Sequence, residues 1–327
     1  LPIVLRRLHQ GLTHAIKQGV FAFSHAHTTQ RPDSYHALGR RAVVQAVWKV
    51  DRSLADISNG FGFLLQVTPV NIDQAWSTFK RHRFEREPRF YNRHLPIDPA
   101  LLKRTLYAIP IERIEDPTLA NLFREKQIEL EWELSMLRDR GTRNFLYGSL
   151  QHFGDVGEEL FTLATEILQK ISPRSANYPR AHRVKAKEFR LRAQEEITFY
   201  QQRYQEMTCQ VHIRDDVTGL IFSEGHLLIG KQLRIPAARV DALLQHEIGT
   251  HALTYYAGKA QPFQLLSNGL AGYEEFQEGL ALIAEYMIGG FNAPRLRLLA
   301  GRVVGVYKML AGASFIDTFR DLNRLYR

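Results

Sequence analysis

Residues 246–251 read His-Glu-Ile-Gly-Thr-His and are the part of the chain best suited to catalysis. His246 and His251 could each donate a ring nitrogen to a metal ion, and Glu247 directly follows the first of them. Catalytic zinc sites have three nitrogen or oxygen ligands and one open position. The pattern predicts a hydrolytic zinc site. Because this motif alone is weakly specific, two helix histidines with unrelated roles are the alternative.

The spacing of the two histidines is unusual for zinc peptidases. The familiar motif separates them by four residues, which places both on one face of a helix. Here they are five residues apart, and at about 3.6 residues per turn they would diverge by roughly 140° on a regular helix. One inserted residue in a π-type turn would bring them together. We therefore predict a widened turn at residues 247–251, eased by Gly249.

A second segment offers carboxylates for the third ligand position. Residues 272–281 read Gly-Tyr-Glu-Glu-Phe-Gln-Glu-Gly-Leu-Ala, and another glutamate follows four residues later. All the glutamates lie toward one helix face, so periodicity does not choose between them: Glu274, Glu275, Glu278 and Glu285. The small residues Gly279 and Ala281 would permit close approach of another helix and favour Glu278. The remaining glutamates could orient a ligand histidine or could be surface charges.

These residue types indicate a mechanism. Zinc lowers the pKa of bound water to about 7 and polarises a carbonyl group. Glu247 would then take the water proton and pass it to the leaving amine. A hydrogen-bond donor should stabilise the oxyanion, and Tyr273 is our first choice. The other candidates are Tyr255, Tyr256 and His226, and we expect at least two of the tyrosines to be core residues.

The elements that must position this site are mainly helical. Leucine and isoleucine recur at helical spacing over residues 117–140 and 157–171, and residues 180–204 form a charged helical segment. Residues 62–70 favour a strand ended by proline, and residues 25–35 a loop. From residue 210 to 236 the chain alternates like strands, with a hairpin-like break at Glu224 and Gly225, and a helix begins near Ala237. We expect an α+β, mainly helical fold with a zincin-like core, divided into a helical region (1–205) and a catalytic region (206–327).

Composition narrows the class of protein. The chain has 327 residues, 45% of them hydrophobic, and one cysteine, Cys209, so no intrachain disulfide can form. The sequence lacks a run of about 20 apolar residues and a signal peptide, so we expect a cytoplasmic location and no membrane span. The net charge of +9 permits an acidic partner. The basic residues are dispersed without a binding motif, so nucleic acid is not expected as a partner.

The two motifs together resemble a known family. His-Glu-Ile-Gly-Thr-His at 246–251 followed by Gln-Glu-Gly-Leu-Ala at 277–281 is similar to the bacterial QEGLA-motif proteins, described as modulators of flavohaemoglobin expression. These are related to the eukaryotic microtubule-associated tyrosine carboxypeptidases, zinc enzymes that remove the C-terminal tyrosine of α-tubulin. The resemblance implies His246, His251 and Glu278 as zinc ligands and Glu247 as base. It covers residues 205–327 clearly and the first half loosely. Because family members usually continue further, we expect a truncated chain.

The resemblance also implies a carboxypeptidase whose substrate is a peptide or protein C-terminus. Such an enzyme needs a cation for the terminal carboxylate, and Lys231, Arg234 and Arg302 are the candidates. A protein that keeps zinc for regulation or binding, without catalysis, is the main alternative, although it would not need Glu247. A zinc hydrolase acting on another amide is a second alternative. The sequence does not define the residue that is removed.

Overall fold

The computed structural model describes residues 2–29, 31, 32, 34, 35, 38, 45–173 and 182–326. The fold is 65% helix with two small sheets, which confirms the mainly helical prediction. The zincin-like core and the division at residue 205 stay predictions. Among the described residues, no helix is both long and apolar enough to cross a membrane.

The first half of the chain is helical. Two of its helices begin with a proline preceded by an aspartate, Asp98 or Asp116, whose carboxylate accepts backbone N–H groups of the first turn. The predicted helices at 117–140 and 157–171 are confirmed. The helices are α1 (Pro2–His27), α2 (Gln45–Asn59), α3 (Phe63–Val67), α4 (Ile72–Arg81), α5 (Pro99–Tyr107), α6 (Pro117–Arg138), α7 (Asn144–Phe153) and α8 (Glu158–Lys170).

Two local predictions in this half are wrong. Residues 62–70 contain the short helix α3 instead of a strand, and its side chains pack in two directions: Phe63 joins the core that includes Leu54, whereas Leu65 packs with Val217 and Leu228. A short apolar run does not distinguish a strand from a buried helix. The predicted loop at 25–35 begins later, since α1 continues to His27. Part of that segment lies outside the described residues.

One strand precedes α9 (Ala186–Gln201), and the other four lie between α9 and the second group of helices. The central strand of a three-stranded sheet pairs in parallel with one neighbour and antiparallel with the other, in the order β2-β4-β3. Glu224 and Gly225, both at positive φ, form the tight turn of the predicted hairpin. The other sheet pairs β1 with β5. The strands are β1 (Arg183–Lys185), β2 (Val211–Arg214), β3 (Leu220–Ser223), β4 (His226–Gly230) and β5 (Arg234–Pro236).

The remaining chain is helical again and carries both predicted motifs. Short 3₁₀ turns occupy Ala237–Arg239, which starts the predicted helix, and Gln264–Ser267. The helices are α10 (Val240–His246), a π-helical turn (Glu247–Ala252), α11 (Leu253–Lys259), α12 (Tyr273–Met287), α13 (Ala293–Leu310) and α14 (Phe315–Tyr326).

Two main hydrophobic cores hold these elements. One lies under α2, α5 and α6, with Leu54 and Leu130 fully buried, and includes Leu265 from the second half. The other joins α9, the three-stranded sheet and α10, with Leu227 and Ile248 fully buried. Residues packed in both cores line the cavity beside the candidate site.

Candidate metal centre and adjoining cavity

The helix that carries the two histidines widens where the sequence predicts. Glu247–Ala252 is a π-helical turn between α10 and α11. The Thr250 hydroxyl donates to the carbonyl of Gln245, five residues earlier, at 3.0 Å, which matches the wider turn. A Cβ on Gly249 would lie 2.5 Å from Oε1 of Gln245, so a larger residue here would require the Gln245 side chain to move. The prediction of a widened turn is confirmed.

This turn brings His246 and His251 to one carboxylate. Their ring centroids are 4.9 Å apart, and α12 places Glu278 against both. His246 Nε2 lies 3.6 Å from Oε2 of Glu278, and His251 Nε2 lies 3.5 Å from Oε1. Ligand atoms at about 2.0–2.2 Å from a tetrahedral zinc ion are about 3.3–3.6 Å apart. The donor set therefore fits a zinc ion. Within the described part of the chain, this is the one group of three such side chains with metal-site spacing.

A buried carboxylate lies behind His246. Glu285, on the same helix as Glu278 but two turns later, is fully buried, and its Oε1 lies 3.0 Å from Nδ1 of His246, outside hydrogen-bond geometry. Arg295 donates to both carboxylate oxygens at 2.9 and 3.0 Å, and Arg239 donates to one at 2.9 Å. Two guanidinium groups thus balance the negative charge of this one carboxylate. Nδ1 of His246 faces Glu285, and Nε2 of the same ring faces Glu278.

Burial shapes the protonation of the site. Desolvation, followed by the neighbouring His251, lowers the pKa of His246, which favours the neutral ring that a metal ligand needs. Glu247 is 8% exposed. Burial, followed by the charges of Glu278 and Glu285, raises its pKa to about 8. A metal cation bound beside this carboxyl group would lower its pKa and favour the carboxylate form that a general base needs.

A cavity of about 180 Å³ adjoins the metal centre. His251 lines it, together with Gln277 and Tyr273 from α12 and Tyr255 from α11. The hairpin turn also borders it and is held against α11, because the Tyr256 hydroxyl donates to the Gly225 carbonyl at 3.0 Å. Since a cavity of about 150 Å³ holds a benzene ring, this one admits an aromatic side chain.

Some of the residues predicted to stabilise the oxyanion line this cavity, and others lie outside it. Tyr273 and Tyr255 line it, whereas Tyr256 is 3% exposed and packs in the second core. His226 lies at the start of β4, where its Nδ1 accepts the Gln210 N–H at 3.2 Å. Glu275 is exposed on α12.

The cations predicted for a substrate carboxylate lie elsewhere. Lys231 is paired with Asp215 at 2.9 Å and is 61% exposed. Arg234 on β5 and Arg302 on α13 are exposed. None of the three lines the cavity.

The sequence analysis missed a group of polar residues on α6 and α7 that reaches the same cavity. Lys126 and Glu129 form an ion pair at 2.5 Å, and Glu129 also accepts the Gly272 N–H at the start of α12 at 3.0 Å. Nε2 of His152 lies 3.9 Å from Glu133 and 4.0 Å from Glu274. Charged residues at helical spacing normally indicate a solvated face, so no local signal identified them.

Comparison with known proteins identifies one family. The model of the family described as microtubule-associated tyrosine carboxypeptidase matches residues 77–325. No curated protein matches the chain. No solved structure matches it either.

Proposed function

The chain belongs to the microtubule-associated tyrosine carboxypeptidase family, and on this premise we propose that it is a zinc-dependent carboxypeptidase. The observation that carries the proposal is the spacing of His246, His251 and Glu278. A structural zinc site is closed by four protein ligands, whereas these three leave one position open. The narrower likeness to the bacterial QEGLA-motif proteins stays a prediction.

The zinc ligands and the residues around them have distinct roles in the proposed reaction. Zinc bound by the three ligands would polarise the substrate carbonyl and acidify a water molecule. Glu247, next to a ligand and buried, accepts the proton of that water and returns it to the leaving amine. Tyr273 or Tyr255, which both line the cavity, donates a hydrogen bond to the oxygen on which charge develops. Glu285 holds His246 in position.

The family description suggests the substrate class. A tyrosine carboxypeptidase of microtubules acts on the C-terminus of a protein, and we propose a peptide or protein with a C-terminal tyrosine. The aromatic lining of the adjoining cavity, which includes Phe63, Phe222 and Tyr255, supports an aromatic residue there.

The test is digestion of a peptide library whose members differ in their last residue, with zinc content measured on the same samples. We expect release of the last residue by the wild type. Glu247→Gln should lower kcat by about 10²–10⁴-fold, because it removes the general base, with zinc content unchanged. Glu275→Gln changes an exposed glutamate on α12 and is the matched control, with activity expected within twofold.

Two outcomes would contradict the proposal. Cleavage without bound zinc would exclude the metal mechanism. Stoichiometric zinc without cleavage of any peptide would instead indicate a zinc protein with a binding or regulatory role.

A further inference from the structure

The cavity beside the metal centre contains a cation that the proposed mechanism does not use. We propose that Lys126 binds the terminal carboxylate of the substrate in this cavity, a role that rests on the carboxypeptidase function proposed above. Lys126 lies on α6, more than a hundred residues before the histidine motif, and is 5% exposed. Lys126 replaces Lys231, Arg234 and Arg302 as the candidate for binding the substrate carboxylate.

The position of Lys126 suits this role. It lines the same cavity as His251, so one substrate residue could contact both the metal centre and the ammonium group. Glu274, whose carboxyl group is influenced by the charge of Lys126, lies four residues before Glu278 on α12, which is about 6 Å along the helix. Consecutive residues of an extended chain are about 3.3–3.6 Å apart. The separation of these two glutamates along the helix therefore matches about two residues of an extended substrate.

The lining of the cavity provides few other anion contacts. Lys126 is the one lysine or arginine among the lining residues that the structure describes. Asn268 also lines the cavity, and its buried Nδ2 donor has no hydrogen-bond partner. An unsatisfied buried donor is costly, and an acceptor supplied by the substrate would remove that cost.

The existing partner of Lys126 leaves it able to bind a substrate. An ammonium group has three donors, and Glu129 occupies one of them. Glu129 is itself held by the Gly272 N–H, so the pair positions the ammonium group against the start of α12. A bound substrate carboxylate would be the second acceptor of the Lys126 ammonium group, in addition to Glu129.

The acidic residues nearby do not exclude an anion. Burial raises the pKa of Glu133 to about 8, so its carboxyl group is largely protonated at neutral pH and can donate. Burial, followed by the charge of Glu129, raises the pKa of Glu274, although its side chain is still 45% exposed. Desolvation lowers the pKa of His152, which keeps that ring neutral.

The first experiment compares the peptide acetyl-Ala-Ala-Tyr with its C-terminal amide as substrates of the zinc-loaded protein. We expect the wild type to prefer the free acid. Lys126→Met should lower kcat/KM for the free acid by about 10- to 100-fold and leave the amide unchanged, because the charged hydrogen bond is lost only with the acid. Lys103→Met removes another ion-paired lysine, which contacts Glu131 of α6 outside the cavity, and should keep the preference.

A binding measurement separates this assignment from the proposed function. Fluorescently labelled free-acid and amide peptides are titrated into Glu247→Gln protein with and without Lys126→Met. Loss of the free-acid preference with Lys126→Met supports the assignment even if the wild type cleaves nothing, which would overturn the carboxypeptidase proposal alone. Retention of the preference overturns the assignment even if the enzyme is active. If the single variant does not fold, Lys126→Met combined with Glu129→Gln removes both buried charges and answers the same question.

Discussion

The two ends of α12 are held by buried charged clusters of opposite composition. At its C-terminal end, the one carboxylate of Glu285 is paired with Arg239 and Arg295. At its N-terminal end, Glu274 meets a group with two further glutamates and one lysine: Glu129, Glu133, His152 and Lys126. Glu285 is thus paired with two guanidinium groups and lies beside His246. Burial, opposed by the charge of Lys126 and reinforced by those of Glu274 and Glu129, raises the pKa of Glu133 to about 8. The comparison shows a buried carboxylate paired with two cations at one end of α12 and a buried carboxyl group that retains a proton at the other end.

Breaking the C-terminal cluster should have the largest effect. Glu285→Gln leaves the partly buried Arg239 and Arg295 without the counter-charge of a fully buried carboxylate, which should cost about 3–5 kcal/mol of unfolding free energy. It also removes the group behind His246 and should weaken zinc binding by about 10- to 100-fold. Urea unfolding and competition with a chelator measure the two effects. Glu166→Gln removes an exposed glutamate of α8 and is the control; equal results for both variants would show that the cluster has no structural role.

Removing the Glu133 carboxyl group from the N-terminal cluster should raise the unfolding free energy, the opposite of the change expected for Glu285→Gln. Because burial raises the pKa of Glu133 from 4.5 to about 8, the folded protein keeps a proton that the unfolded chain releases above pH 4.5. The stability of the wild type should therefore fall as pH rises from 4.5 to about 8, relative to a variant without this group. Glu133→Gln should be more stable than the wild type by an amount on the order of 3 kcal/mol at the upper end. Urea unfolding of both proteins over this pH range tests it, and a constant difference would contradict it.

An exposed ion pair should contribute much less to the unfolding free energy than either buried cluster. Lys231 and Asp215 are paired at 2.9 Å but are 61% and 75% exposed. Solvent screens such pairs, so Lys231→Met should change the unfolding free energy by less than about 1 kcal/mol. Because this lysine is outside the cavity, activity on a free-acid peptide should stay within twofold. A large loss of that activity would return Lys231 to the list of carboxylate-binding residues.

The sequence by itself determined the features that depend on local spacing. Histidines five residues apart require a widened helical turn to share a ligand, and the π-helical turn at Glu247–Ala252 confirms this. Helical periodicity located α6 and α8, and the alternation before Ala237 located the hairpin. The pairing of the histidine motif with the Gln-Glu-Gly-Leu-Ala motif indicated the family that the match over residues 77–325 shows.

Only the tertiary structure decided which distant side chains meet. Periodicity placed Glu278 and Glu285 on one side of a helix, but the antiparallel packing of α12 on α10 put Glu278 between the histidines and Glu285 behind one of them. The contact of α6 with the start of α12 placed Lys126 in the cavity beside the metal centre. Spacing fixes the direction of a side chain on its own element. What it meets there depends on burial and on packing between elements far apart in the chain, as in the buried turn of α3 and the charge cluster around Glu133.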